Sequence, residues 1–262
     1  IRTAVMGADG SSKVDPSPEQ LQTMQSMVRD AMDHGAIGFA SSFSPNHSGY
    51  GGIPMPSTIA SETELRALTS VLGEKKKGVF MMATGTRGSP DIMESIAEDT
   101  GRPAYISTVL TMYNEGNPSL GAAYYERCAQ ALERGHELYI LTSCQPLSFD
   151  FSLTDPYVLL SHSAFDVVKS ATADSLPGVY RSVEFRDAFR KNLKHPKEGI
   201  LFLGNWRHIE VGQTMRPENQ RLEGQNIQAL ADQQGLDPVD VFFDLALSED
   251  LGTHFVGKFF NN

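Results

Sequence analysis

Short apolar runs rich in β-branched and aromatic residues alternate with amphipathic stretches along most of this chain. Such alternation is typical of parallel βα units, in which each buried strand is followed by a covering helix. The strand-like runs are residues 36–39, 78–84, 104–110, 138–143 and 199–203. The helix-like stretches are residues 62–72, 90–100, 120–134, 182–193 and 225–233. The pattern therefore predicts a layer of parallel strands covered by helices.

These repeated units predict an α/β fold, and most specifically a (β/α)8 TIM-barrel of which this chain carries the central units. We expect residues 1–262 to form one partial TIM-barrel catalytic domain. An elaborated loop is expected near residues 148–176, where the sequence is irregular for longer than an ordinary connection. A doubly wound open sheet is the structural alternative. Its usual nucleotide signature is missing, because no strand-like run is followed by G-x-G-x-x-G and no Walker sequence occurs.

The clearest local signal is the start of a helix after the opening apolar run, residues 1–6. Ser17 and Gln20 have the spacing of a capping box, and Pro18 between them suits the first helical position. Gly35 then predicts the end of this helix, because glycine adopts the left-handed conformation at little cost. The glycine-rich segment 49–52 is interpreted as a shaped active-site loop, with a phosphate cradle as the alternative.

The acidic balance narrows the class of partner. The formal charge is −10 and the isoelectric point is about 5.1, which argues against a nucleic acid held through its phosphates. No apolar run approaches the ~18 residues of a membrane span, and no signal peptide opens the chain. Cys128 and Cys144 are the two cysteines, as is typical of a reducing compartment. We expect a cytoplasmic protein with a small-molecule substrate, and the sequence leaves a homo-oligomer open.

Both ends of the sequence predict a longer protein. The chain begins at Ile1 without a methionine, and it stops just after the apolar stretch 255–260. An apolar stretch of this kind usually needs a partner to cover it. Processing or disorder at the termini is the alternative interpretation.

A barrel places its working residues just past the carboxyl ends of the strands, and those positions predict a substrate site here. The substrate-binding candidates are Ser42 and His47 after the first strand-like run, Arg87 after the second and Gln145 after the fourth. His47 either contacts the substrate or stabilises its loop of small residues. Arg87 either clamps a substrate carboxylate through a bidentate pair or is a solvated loop residue.

The sequence names no metal ligand and leaves the catalytic residues unknown. Seven histidines are scattered along the chain, without an H-x-H or H-E-x-x-H motif. His208, beside Trp206 and Arg207, is a weaker candidate than His47. Cys144 follows a strand-like run and suits a nucleophile paired with a distant histidine, but packing is the simpler interpretation.

Several segments, taken in order, resemble one known family. They are IRTAVM (1–6), VRDAM (28–32), GAIGFASS (35–42), GIPMPS (52–57), TGRP (100–103) and DPVD (237–240). Together they resemble the metal-dependent amidohydrolases of the D-aminoacylase, or N-acyl-D-amino-acid deacylase, type. The resemblance is strongest over residues 17–61 and weaker over residues 105–225.

The resemblance implies a (β/α)8 barrel that binds zinc or another divalent metal. It implies hydrolysis of the amide C–N bond of an N-acyl-amino-acid-like substrate by metal-activated water. The H-x-H of the family belongs upstream of Ile1 and its catalytic aspartate downstream of Asn262, so catalytic residues and metal ligands are expected outside this chain. The middle strands offer Thr84, Thr108 and Ser143 where other members carry histidines. The alternative is therefore a catalytically inactive, barrel-derived binding or structural protein.

Overall fold

The chain divides into two units. The computed structural model describes residues 1–44, 47, 53–85, 87–107, 112–113, 115–196 and 200–261. The first unit comprises Ile1–Tyr113 and Asn117–Ser143, and the second comprises Cys144–Asn262 with Asn114–Gly116. Among the helices of the described residues, none is long and apolar enough to cross a membrane.

Strands and helices alternate through the described residues of the first unit, as the sequence predicts. The strands are β1 (Gly38–Ser42), β2 (Val79–Ala83), β3 (Ala104–Ile106) and β4 (Leu138–Ile140). The helices are α1 (Arg2–Met6), α2 (Pro18–Asp33), α3 (Pro56–Ile59), α4 (Glu62–Lys75), α5 (Pro90–Thr100) and α6 (Leu120–Glu133). The opening apolar run, residues 1–6, is helical in the structure: its residues Arg2–Met6 form α1.

The four strands of the first unit form one parallel sheet in the order β1-β2-β3-β4. Gly38 lies opposite Val79, and Ala104 lies between Phe80 and Leu138. This parallel, helix-covered sheet confirms the mixed α/β class. Within the described residues the sheet is open and does not close into a barrel.

The two faces of this sheet differ in burial. Phe80, Met82 and Ile106 are fully buried in the core that the helices cover. On the other face the rings of Tyr105 and Tyr139 stack with 5.3 Å between their centroids, and both residues are only half-buried. The strands therefore alternate side chains between a helix-covered face and a more open face.

Local signals fix the ends of the helices. The Ser17 hydroxyl accepts from the backbone N–H of Gln20 at 3.2 Å, and the Gln20 side chain accepts from the Ser17 N–H at 2.8 Å, so the predicted capping box is present. Gly35 follows α2 with φ +99°. Helix α5 begins at Pro90 and ends at Thr100, the bounds that the sequence predicts.

A buried carboxylate ties α5 to α6 and to β4. Glu94 on α5 is only 6% exposed. It accepts from Arg134 Nε at 2.7 Å, from Arg127 Nη2 at 2.6 Å and from His136 Nδ1 at 2.8 Å. The bond from Arg134 is the largest of the effects that lower the pKa of Glu94 to about 2. His136, which follows Gly135 after α6, is thus part of this network.

The second unit is built around an antiparallel sheet. Its strands are β5 (Leu147–Phe151), β6 (Ile209–Gln213) and β7 (His254–Phe260), in the order β5-β7-β6. Its helices are α7 (Asp166–Lys169), α8 (Leu176–Arg181), α9 (Val183–Lys194), α10 (Ile227–Gln234) and α11 (Pro238–Ser248). Residues 148–176, expected to form an elaborated loop, include most of β5, two short 3-10 turns and α7.

The predicted strand over residues 199–203 is wrong, because its described part, residues 200–203, is irregular. Ile200 and Phe202 are buried, so the sequence alternates as a strand does although the backbone joins no ladder. His162 instead holds this segment: its Nε2 donates to the Phe202 carbonyl at 3.0 Å. Burial lowers the pKa of His162 to about 4, and its Nδ1 has no hydrogen-bond partner among the described residues.

Candidate substrate site at the strand ends

The carboxyl end of β1 carries a hydroxyl–imidazole pair. Ser42 is the last residue of β1, and its Oγ lies 2.7 Å from Nδ1 of His47. The same Oγ accepts from the backbone N–H of Ser44 at 3.1 Å. His47 is exposed, whereas Ser42 is half-buried. The structure thus brings together two of the residues that the sequence nominates.

The backbone around His47 is held as well. The His47 N–H donates to the carbonyl of Ser44 at 3.1 Å, and the His47 carbonyl accepts from Met55 N–H at 3.4 Å. These bonds join His47 to Ser44, just after β1, and to Met55, just before α3. The glycine-rich segment 49–52 lies outside the described residues.

The loop after β2 passes close to the loop after β1. Phe43 N–H donates to the carbonyl of Ala83 at 2.8 Å, which continues the pairing of the two strands by one residue. A Cβ added to Gly85 would lie 2.3 Å from the Phe43 carbonyl oxygen, and Gly85 has φ +56°. Only glycine fits this crossing without a shift of the neighbouring backbone.

Arg87 fastens the same region from the β2 side. Its Nη2 donates to the backbone carbonyls of Thr58 at 2.7 Å and Ala60 at 2.9 Å. The guanidinium carbon lies 4.4 Å from the centre of the Phe43 ring, within the range of a cation–π contact. Arg87 remains exposed, so its role as a carboxylate clamp stays a prediction.

Thr84 is a buried polar residue at the start of the loop after β2. It follows β2 directly, has no exposed surface, and its Oγ1 has no hydrogen-bond partner among the described residues. The sequence offers Thr84 only as a strand-end residue. Its burial is a tertiary property, which the local sequence pattern does not report.

Gln145 does not join this group within the first unit. It belongs to the second unit, where it is exposed, and the adjacent Cys144 is exposed and free. The substrate-contact prediction for Gln145 stays a prediction. The structure therefore places three of the four nominated residues in the first unit and one in the second.

A second polar group lies in a small cleft of the second unit. Asn205 Nδ2 donates to a Glu115 carboxylate oxygen at 3.1 Å and contacts His208 Nε2 at 3.3 Å. The cleft has a volume of about 10 Å³, room for about one water molecule. The sequence nominates His208 weakly and misses Glu115, because the glutamate lies 90 residues before Asn205.

Zinc is the metal that the family resemblance implies, and the described residues do not fit it. Among residues 1–261, leaving aside the gaps given above, no group of three or more histidine, cysteine, aspartate or glutamate side chains could hold a metal ion. The Glu115–His208 pair reaches only two such side chains. The described residues alone therefore do not form a metal site that could take part in catalysis.

Two solved structures share the fold of this chain. One is an N-acyl-D-glutamate deacylase from Bordetella bronchiseptica complexed with zinc and a phosphonate inhibitor, with a TM-score of 0.51 and 16% identity. The other is a mutant D-aminoacylase in complex with copper chloride, with a TM-score of 0.50 and 15% identity. Each match covers 99% of this chain and 42% of the other. No family model matches the chain, and no curated protein matches it.

Identity this low makes the likeness one of fold. The chain spans less than half the length of these two amidohydrolases. The resemblance stated from the sequence is therefore supported as a similarity of structure to enzymes of the D-aminoacylase type. It does not by itself assign a reaction to the residues described above.

Proposed function

We propose that this chain is the central part of an amide hydrolase of the D-aminoacylase type. The substrate would be an N-acyl-amino-acid-like small molecule whose amide C–N bond is cleaved. One observation carries the proposal: a fold shared with an N-acyl-D-glutamate deacylase, in a chain with polar residues at its parallel strand ends. That edge of a parallel sheet is where barrel enzymes keep their substrate sites.

The complete architecture under this proposal is a (β/α)8 barrel over a domain that includes residues 1–262. A helix-covered face and a more open face of the β1–β4 sheet support this proposal, because a barrel wall has one face of each kind. Ser42, His47, Arg87 and Gln145 stay the proposed substrate-binding residues. We propose as well a cytoplasmic location and a small-molecule partner.

Zinc or another divalent metal is the proposed cofactor. When bound in such a hydrolase, the metal supplies a water molecule of lowered pKa and polarises the acyl carbonyl. The described residues offer no set of ligands for it. The residues of this chain would bind and orient the substrate.

The proposal is tested on the intact protein that carries this chain, purified with and without added zinc. Amine release is measured from N-acetyl-D-amino acids, with the N-acetyl-L forms as the matched control, and elemental analysis gives the metal content. We expect amine release that requires metal, and light scattering of the same sample gives the oligomeric state. Metal-loaded protein that releases no amine from any N-acyl amino acid would overturn the proposal.

A non-catalytic binding protein is the second candidate. The observation that favours it is the missing ligand set among the described residues. Calorimetry with the same N-acetyl-D-amino acids discriminates the two candidates. Saturable binding without turnover, in protein that contains no stoichiometric metal, would support the binding protein and exclude the hydrolase.

A further inference from the structure

We propose that His47 presents its Nε2–H as a hydrogen-bond donor to a substrate oxygen, and that Ser42 and Arg87 are positioning residues for it. The oxygen would belong to a carboxylate or an acyl carbonyl, the acceptors of an N-acyl amino acid. The choice of ligand rests on the proposed function. The tautomer and the loop geometry rest on contacts alone.

The hydrogen bonds of Ser42 bear on the tautomer of His47. A serine hydroxyl has one donor hydrogen and two acceptor lone pairs. The Ser44 N–H already uses one lone pair of Ser42 Oγ at 3.1 Å. Nδ1 of His47, at 2.7 Å, is the acceptor that the described residues offer to the hydroxyl hydrogen. The second lone pair could accept from Nδ1–H, but the hydroxyl hydrogen would then lack an acceptor among the described residues. The geometry thus favours donation from the Ser42 hydroxyl to Nδ1, which places the hydrogen of the neutral imidazole on Nε2.

The exposed side of the imidazole is then a donor. A protonated Nε2 can give a hydrogen bond and cannot itself accept a proton, so this exposed nitrogen of His47 suits recognition of an oxygen. A carboxylate or acyl oxygen is the matching acceptor. The neutral imidazole adds direction to the contact, because its donor lies in the plane of a ring that Ser42 holds.

Arg87 acts on the same loop from its far end. The bonds from Nη2 to Thr58 and Ala60 hold the segment that follows Met55, and Met55 N–H donates to the His47 carbonyl at 3.4 Å. The cation–π contact with Phe43 holds the start of the loop. One guanidinium therefore touches the loop on both sides of His47.

The direct test is the tautomer of His47, measured by ¹⁵N NMR in histidine-labelled protein at about pH 8. The signal that disappears in His47→Gln identifies the residue. We expect an unprotonated Nδ1 and a protonated Nε2, with mixed tautomers in Ser42→Ala. Ser26→Ala, at an exposed serine on α2, is the matched control. A wild-type His47 protonated on Nδ1 would overturn the proposal.

Binding supplies the second measurement, with N-acetylglycine as the probe. We expect it to shift the Nε2 signal of His47, with the dissociation constant raised several-fold in Ser42→Ala and in Arg87→Met. In an active protein, Ser42→Ala should raise KM and leave kcat within about twofold. Loss of kcat would instead make Ser42 a nucleophile, and equal binding by His47→Gln would remove His47 from the site.

These outcomes separate the two proposals. If the expected tautomer and the probe-induced shift are found in a protein that releases no amine, the hydrolase proposal fails and the role of His47 stands. If amine is released while His47 carries its hydrogen on Nδ1, the role of His47 fails and the hydrolase stands.

Discussion

The guanidinium of Arg87 lies over the ring of Phe43, with 4.4 Å between the guanidinium carbon and the ring centre. The same guanidinium donates to two backbone carbonyls through Nη2. The contact joins the loop after β2 to the loop after β1. Arg87 therefore stabilises the candidate site, whatever ligand the site binds.

Arg87→Met should lower the free energy of unfolding by about 1–2 kcal/mol, because charge-assisted bonds to two carbonyls are lost at an exposed position. Arg87→Lys should recover less than half, since an ammonium lacks the planar fork and stacks poorly. A double-mutant cycle of Arg87→Met with Phe43→Leu, followed by urea unfolding, should give a coupling of about 0.5–1 kcal/mol. Additive single effects would show that the stacked contact contributes nothing.

Gly85→Ala tests the close crossing of the two loops. The new Cβ would meet the Phe43 carbonyl at 2.3 Å, so we expect a loss of about 3 kcal/mol from steric conflict and positive φ together. Gly101→Ala is the matched control, because Gly101 has a similar φ of +60° and open space around its Cβ position. Its cost should be about 1 kcal/mol, from the backbone conformation alone. Thermal unfolding of both variants measures the difference, and equal losses would contradict the crossing.

Glu94→Gln tests the buried carboxylate. At about pH 7 we expect a loss of about 2–3 kcal/mol, since Arg134 and Arg127 each lose an ion pair with Glu94, although Arg127 keeps its pair with Asp91. The folded pKa of Glu94 lies near 2, below its ordinary value of 4.5, so this stabilisation exists above about pH 4.5 and fades as the pH falls toward 2. Urea unfolding across this range should show the wild-type and variant curves converging in acid. Glu98→Gln, at an exposed glutamate of the same helix, should change little at any pH.

His162 predicts a separate acid sensitivity in the second unit. Burial lowers its pKa from 6.5 to about 4, so between these pH values His162 is protonated in the unfolded chain and neutral in the folded chain. Stability should fall as the pH drops from about 6.5 to about 4, by about 3 kcal/mol at the lower end. His162→Gln keeps a donor for the Phe202 carbonyl and should flatten this slope, whereas His195→Gln, at an exposed histidine, should leave it unchanged. An unchanged slope in His162→Gln would exclude His162 as its source.

Sequence alone predicts the elements whose causes are local. Helix α5 starts at a proline after a serine cap and ends before Gly101, and both signals are within a few residues of the ends. The alternation of β1 to β4 with helices is likewise readable, because each strand is an apolar run. The strand predicted over residues 199–203 fails because its cause is not local. Burial alternates with a period of two over residues 200–203, but these residues do not pair with a neighbouring strand.

The candidate site was only half predictable for a similar reason. Ser42 and His47 are five residues apart, so their pairing follows from a short loop. The partners of Arg87 are backbone carbonyls 29 and 27 residues away, which no side-chain pattern marks. Glu115 and Asn205 are 90 residues apart, and the sequence around either residue gives no sign of their contact.

The strand order of the second unit has a consequence for synthesis on the ribosome. In the first unit each strand pairs with the next one made, so its sheet can grow as the chain emerges. In the second unit β7 is the central strand. Asp150 on β5 is translated 104 residues before His254, its neighbour on β7. Until β7 is translated, β5 and β6 have no central strand to pair with, and their edges stay open to other nascent chains. Chaperone demand during translation should therefore fall on the second unit, whose contacts are the less local of the two.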